Sequence, residues 1–161
     1  MSAIHALRNG DVSFWYADMG GLPEPRPPLP GDAEVDVAIV GAGYTGLWTA
    51  YYLKKASPSL HIALIERRFA GFGASGRNGG WLNGGFSWSR DKYLKTSNRP
   101  AVMAMQAALA GTVDEVARVA SQEAIDADLL RVDNLSVATN RAQLERARER
   151  AETIRAWDAD P

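Results

Sequence analysis

Val37-Ala38-Ile39-Val40-Gly41-Ala42-Gly43-Tyr44-Thr45-Gly46, answered further on by Ile62-Ala63-Leu64-Ile65-Glu66, is the stretch whose reading decides the fold. Val35 to Val40 is a short β-branched run that stops at a glycine, which predicts a buried parallel strand. Tyr44 to about Ala56 predicts a helix. Gly46, Ala50 and Leu53 fall at i, i+4 and i+7, a narrow stripe of small and apolar residues that can lie close on a sheet. Ser57-Pro58 ends that helix. His61 to Glu66 predicts a second strand. Strand, helix and strand in this order make a right-handed β-α-β unit, so the fold class is α/β.

The turn between the first strand and the helix, Gly41-Ala42-Gly43-Tyr44-Thr45-Gly46, has the spacing G-x-G-x-x-G. Three glycines at this spacing arise by chance, so the triplet alone is a weak signal. Its context strengthens it: a strand before, a helix after, and an acid, Glu66, at the end of the next strand. Each element has a mechanical reason. Gly41 permits the tight turn, Gly43 removes a side chain where a pyrophosphate must approach the backbone, and Gly46 lets the helix pack close to the sheet. The helix N-terminus offers unpaired N–H groups and partial positive charge to phosphates. Glu66 can accept hydrogen bonds from ribose hydroxyls. A ligand-free turn in an α/β domain is the bland alternative.

The next segment bears on which dinucleotide is meant. Glu66 disfavours a 2′-phosphate, while Arg67 and Arg68 soften that argument or are simply a solvated pair. Residues 71–85 hold seven of the fifteen glycines, interspersed with Phe72, Arg77, Asn78, Trp81 and Leu82. An NAD unit has no need of such a loop after its second strand. FAD is larger, and a second backbone segment must pass close to it; small residues permit that approach, and Ser75 and Asn78 can donate hydrogen bonds. The expectation is therefore FAD, against a surface Ω-loop as the alternative for this segment. An NAD(P)-binding dehydrogenase module and a non-catalytic interaction fragment are the competing readings of the whole.

Composition narrows the rest. With 161 residues, 46% apolar and 23% charged, the chain has the makeup of an ordinary globular protein. A formal net charge of −1 lacks the basic excess of nucleic-acid binders. Without cysteine, thiolate catalysis and sulfur-based zinc sites are excluded, and two histidines make no zinc signature. The first twenty residues lack the apolar core of a signal peptide, and no run has a membrane helix's length, so a cytoplasmic location is the expectation. Five of the eight prolines fall in 22–31, a polyproline-like tether, and residues 1–34 read as an arm and linker in which Phe14-Trp15-Tyr16 anchors on the domain surface. Pro100 to about Ser121 predicts a helix with Val102, Met105, Leu109, Val113, Val116 and Ala120 as its apolar stripe; Leu129 to Thr139 a strand; Gln143 to Trp157 a last helix. Trp81, Phe86 and Trp88 are either cavity-lining or core aromatics.

Asp36 to Ala50, then Ile65-Glu66, then Gly73-Ala74-Ser75-Gly76-Arg77-Asn78-Gly79-Gly80 resemble the opening of the D-amino-acid oxidase superfamily. The nearest branch holds glycine oxidase, D-amino-acid dehydrogenases and gamma-glutamylputrescine oxidoreductase, which Trp15 and Leu29-Pro30-Gly31 also fit. The resemblance is sharp over 36–85 and looser from about Ser13 to Trp157. It implies a Rossmann-like FAD-binding β-α-β opening of a larger two-domain flavoprotein. The arm at 1–34 would lead into an FAD-binding segment at 35–125, with 126–161 starting the substrate domain. It implies that Gly41, Ala42, Gly43, Thr45 and Gly46 meet the FAD pyrophosphate, that Glu66 binds the adenosine ribose with Arg67 beside it, and that Ala74, Ser75, Arg77, Asn78, Gly79 and Gly80 follow the flavin end. Some relatives bind flavin covalently through cysteine or histidine; here there is no cysteine, and His5 and His61 lie outside the loop, so non-covalent FAD is expected. The implied activity is oxidation of a C–N bond in a small-molecule amine or amino acid by hydride transfer to flavin, with self-association left open and no catalytic base in evidence. Family chains are far longer, which reads this one as the N-terminal portion of such an enzyme and puts autonomous catalysis in doubt.

Overall fold

The computed structural model describes residues 13–158. The first twelve residues of the arm, His5 among them, and residues 159–161 lie outside the described residues. The chain forms two compact units, one of residues up to Leu82 and one from Asn83 onward.

The first unit opens with a short helix, α1 (Phe14–Asp18), capped by Ser13. The proline-rich stretch follows as irregular backbone. Strand β1 (Val37–Val40) leads through the glycine turn into helix α2 (Tyr44–Ala56), and the chain returns as β2 (Ile62–Ile65). The strands pair in parallel, Val37 opposite Ile62 and Val40 opposite Ile65. The ladder is extended at one end, where the Gly41 N–H donates to the Ile65 carbonyl (2.8 Å), and fastened at the other, where the His61 N–H donates to an Asp36 carboxylate oxygen (2.7 Å). The β-α-β reading of the sequence is met, with bounds within two residues of those expected.

Burial departs from the expectation of a strand buried on both faces. Val37 and Ile39 are half-buried, whereas Ala38 and Val40 are exposed, Val40 at 87%. A parallel sheet needs a layer on each face. Helix α2 covers one, with Gly46 buried and Ala50 and Leu53 half-buried as the stripe predicted. Among the described residues of this unit nothing covers the other face.

The second unit is helical: α3 (Arg90–Leu94), α4 (Arg99–Gln122) and α5 (Arg141–Asp158). Asn98 caps α4 through its side chain, which accepts the Ala101 N–H at 3.0 Å, and Pro100 sits in the first turn, where its missing N–H costs nothing. At the other end Ala124 takes a left-handed conformation (φ 52°), and the Ala124 and Ile125 N–H groups donate back to the Ser121 and Ala120 carbonyls, a Schellman closure without glycine. Val102, Val119 and Ala120 are buried on α4; of the predicted stripe, Met105 is exposed instead. Asn140 and Gln143 open α5 reciprocally: Asn140 accepts the Gln143 N–H (2.9 Å) while Gln143 accepts the Thr139 N–H (2.7 Å).

The strand expected over 129–139 is a correction. The segment is irregular, and Leu130, Val132, Leu135 and Val137 are all largely exposed, Leu135 at 88%. The segment is rich in apolar residues, but a strand exists only when its N–H and C=O groups meet a neighbour's. Among the described residues none is aligned with it.

Trp157 is buried in this unit, 5% exposed, with the guanidinium groups of Arg99 and Arg90 at 4.5 and 5.2 Å from its ring. Arg99 also donates to the Ala156 and Trp157 carbonyls (2.7 and 3.1 Å), closing the C-terminal turn of α5. Removing a large buried aromatic leaves a cavity and takes the ring away from both guanidinium groups. We expect Trp157→Ala to lower the stability of this unit by about 3 kcal/mol in a denaturant titration. In the first unit, a Cβ on Gly46 would run into the Gly41 carbonyl oxygen and lie 3.3 Å from a methyl of Ile39. We expect Gly46→Ala to cost about 1–3 kcal/mol there, as overpacking does, and to leave the helical unit unchanged.

Candidate functional site

The site is built where β1 hands over to α2. Gly41 takes φ 101°, a backbone conformation that a side chain disfavours, and this reverses the chain at the end of the sheet. Gly46 then lets the first turn of α2 rest on the Gly41 carbonyl. Gly43 is the N-cap, with extended backbone and no side chain to cap the helix. The first N–H groups of a helix have no partner inside it. Here the Tyr44 N–H donates to Ser75 Oγ (3.0 Å), and those of Thr45 and Gly46 are left to the helix mouth.

Glu66, just past β2, fixes the outer edge of the turn. One carboxylate oxygen accepts the Ala42 N–H (3.0 Å) and the other accepts the Arg68 N–H (2.9 Å). These bonds favour the ionised form. The Ala42 amide above all, then that of Arg68, with lesser help from the Arg67 amide and its guanidinium charge, hold the Glu66 carboxyl below its usual value of 4.5 against a small opposing effect of desolvation. Each oxygen keeps a further lone pair, so the carboxylate can still accept from a sugar hydroxyl.

The glycine-rich loop forms the facing wall over residues 71–80. Gly71 N–H donates to the Ala42 carbonyl (2.9 Å), and a short 3₁₀ turn at Ala74–Gly76 brings Ser75 over the helix mouth, where a Cβ on Gly43 would stand 3.1 Å from Ser75 Oγ. Asn78 organises the loop from within. Its amide nitrogen donates to the Ser75 carbonyl (2.8 Å) and reaches Tyr44 Oη (3.3 Å), and its oxygen accepts the Gly80 N–H (2.8 Å). Arg77 donates to the Phe72 carbonyl (2.7 Å), and Arg68 and Arg77 both stack on the Phe72 ring, at 4.8 and 4.9 Å.

The fold therefore brings Gly41, Ala42, Gly43, Thr45, Gly46, Glu66 and Ser75 around one helix mouth, with Ala74, Arg77, Asn78, Gly79 and Gly80 along the facing loop and Arg67 exposed beside Glu66. Beyond Leu82 the loop belongs to the other unit, where Gly84 packs tightly on α4 and a Cβ would meet the Leu109 carbonyl at 2.6 Å. Of the three flagged aromatics, Phe86 stacks on Tyr93 (4.5 Å), while Trp81 and Trp88 are largely exposed, with the Lys92 ammonium over the Trp88 ring. Two residues with a part in the site escaped the sequence reading: Tyr44, which meets Asn78, and Trp15, whose indole N–H donates to the Asn78 carbonyl at 2.9 Å.

A carboxyl with a lowered folded-state value adds stability that is full above its unfolded value and is lost as pH falls through the lowered one. We expect acid to loosen the 41–46 turn over that range, read from the exchange of the Ala42 and Arg68 amides. Glu66→Gln should flatten this pH dependence; a profile identical to the wild type would show that the carboxylate does not hold the turn.

The chain is 31% identical to gamma-glutamylputrescine oxidoreductase of Escherichia coli over 88% of this chain and 32% of that one. It is 37% identical to the probable oxidoreductase OrdL of Haemophilus influenzae over 52% of this chain and 19% of that one. It is also 37% identical to sarcosine oxidase subunit beta of Rhizobium meliloti, over 62% and 21% respectively. The chain thus spans between a fifth and a third of the length of these relatives. No solved structure gives a significant match. Among the described residues no helix is long and apolar enough to cross a membrane. The sequence model of the FAD dependent oxidoreductase (DAO) family matches residues 36–161, and the chain belongs to that family of FAD-binding flavoproteins.

Proposed function

We propose that residues 37–80 receive FAD in an oxidoreductase that oxidises the C–N bond of a small-molecule amine or amino acid, the bound flavin accepting a hydride from the carbon that bears nitrogen and the resulting imine being released to hydrolysis. The observation that carries the cofactor reading is the notch at the mouth of α2. It is lined by Gly41, whose φ of 101° disfavours a side chain, by Gly46, where a Cβ would run into the Gly41 carbonyl oxygen, and by Gly43, where a Cβ would crowd Ser75 Oγ at 3.1 Å. It lies at a helix N-terminus, where the first backbone N–H groups lack partners within the helix.

In this reading Gly41, Ala42, Gly43, Thr45 and Gly46 meet the pyrophosphate. The remaining lone pairs of Glu66 take the adenosine ribose hydroxyls with Arg67 alongside, and Ala74, Ser75, Arg77, Asn78, Gly79 and Gly80 line the path toward the flavin. Ser75 Oγ, which accepts the Tyr44 N–H, stands where a phosphate oxygen would do the same, so the hydroxyl either donates to the phosphate or rotates aside. Attachment is non-covalent. The sequence has no cysteine, and His61 sits at the start of β2, the opposite end of the strand from Glu66. The substrate class draws on two relatives named for gamma-glutamylputrescine and sarcosine, both of which carry an amine nitrogen. Residues 126–161 would then open the substrate-binding part.

The test is FAD retention. Wild-type protein should quench added FAD fluorescence, and Gly43→Val should weaken binding at least tenfold, about 1.4 kcal/mol, with helix content by circular dichroism unchanged. Undiminished binding by Gly43→Val, or retention of NADPH in place of FAD, would overturn the reading.

A further inference from the structure

We infer that helix α1 is a clamp on the facing wall of the cofactor site, and that Trp15 is a positioning residue for FAD; this rests on the reading of residues 71–80 as that wall. Two consecutive aromatic side chains grip the loop at both of its ends. Tyr16 Oη donates to the Ala70 carbonyl, and its ring meets Phe69 edge to face at 5.1 Å. Trp15 donates from its indole N–H to the Asn78 carbonyl (2.9 Å).

The glycines at the two grips are fitted to these side chains. Gly71 has φ 77°, and a Cβ there would lie 3.2 Å from Tyr16 Oη. Gly80 also has φ 77°, and a Cβ there would lie 2.9 Å from the Trp15 ring. The conformations that these glycines permit are the ones in which α1 can seat. Between the grips lie Ser75, which reaches the helix mouth, and Asn78, whose side chain fixes the turn back to Gly80.

The loop is held by scattered contacts rather than by regular structure. It makes no ladder bonds, and its regular structure is one 3₁₀ turn at Ala74–Gly76. A glycine-rich segment that is ordered only on binding charges its conformational entropy against affinity, whereas one held beforehand does not. Sixty-three residues separate Trp15 from Asn78 and fifty-four separate Tyr16 from Ala70, so the arm contributes to the site through long-range contacts only.

The experiment compares wild type, Trp15→Ala, Trp15→Phe and Tyr16→Phe by two readouts on the full chain. The first is limited trypsin cleavage after Arg77, in the exposed middle of the loop, relative to cleavage after Arg131 in the other unit. The second is the FAD dissociation constant from flavin fluorescence. Trp15→Ala should raise the Arg77-to-Arg131 ratio roughly tenfold, the size of one lost hydrogen bond with its packing, and weaken FAD by a similar factor. Trp15→Phe, which keeps a ring over Gly80 but loses the indole N–H, and Tyr16→Phe should fall between. An unchanged ratio in Trp15→Ala overturns the clamp, and a raised ratio with unchanged FAD affinity overturns the positioning role. A wild-type chain that retains no FAD fails the cofactor reading instead, and the clamp is then decided by the proteolysis ratio alone.

Discussion

The first unit hinges on the Glu66 carboxylate, which accepts the Ala42 and Arg68 amides and so binds the end of β2 to the turn that leaves β1. Parallel strands have no hairpin to register their ends, and here two strands of four residues each must position a helix mouth accurately. Backbone pairing aligns them as far as Gly41 and Ile65. One residue further, the side chain of Glu66 takes over from the ladder. Its bonds are charge-assisted, which makes them stronger than another amide–carbonyl pair would be. The geometry beyond depends on that fastening: Gly71 donates to the Ala42 carbonyl, and Ser75 reaches the Tyr44 amide, only if the turn stays where the carboxylate holds it.

Much of this arrangement was legible in the residues. The strand–helix–strand order could be read because each element carries its own period or its own stop: the β-branched run before Gly41, the small stripe at Gly46, Ala50 and Leu53, and Ser57-Pro58. The roles of Gly41 and Gly46 could be read because they concern the local chain, a positive φ and a close approach five residues away. The engagement of Ser75 with Tyr44, and of Trp15 with Asn78, could not, because 31 and 63 residues intervene and neither contact has a sequence period. Phe14-Trp15-Tyr16 could be identified as an anchor but not assigned its berth. The segment 129–139 shows the opposite failure. Its apolar composition is a property of the sequence alone, whereas strand structure is a property of two partners, and the described residues supply only one.

Asn78 illustrates how a residue type can mislead about role. A side-chain amide in a glycine-rich loop suggests a hydrogen-bond donor for a ligand. In the folded chain that amide is already engaged by the Ser75 carbonyl and Tyr44 Oη, and its oxygen by the Gly80 N–H. Any help it gives to a cofactor comes through the shape it imposes on backbone. The same holds for Arg77, stacked on Phe72 and bonded to its carbonyl. Asn78 and Arg77 thus engage the loop and its neighbours, so that a ligand lying along this wall would meet mainly main chain.

That division explains why the cofactor is easier to read here than the reaction. Gripping a diphosphate needs backbone amides, a helix N-terminus and one carboxylate for a sugar, and in the proposed site these would all come from residues 37–80. Choosing among substrates requires side chains that meet the reacting atoms, a different task from holding a diphosphate. The matched stretches make up only 19% and 32% of two of the relatives, which leaves most of each in which to place such groups. A family defined by its cofactor can therefore keep its cofactor-gripping groups while its substrates change, because the two tasks use different atoms.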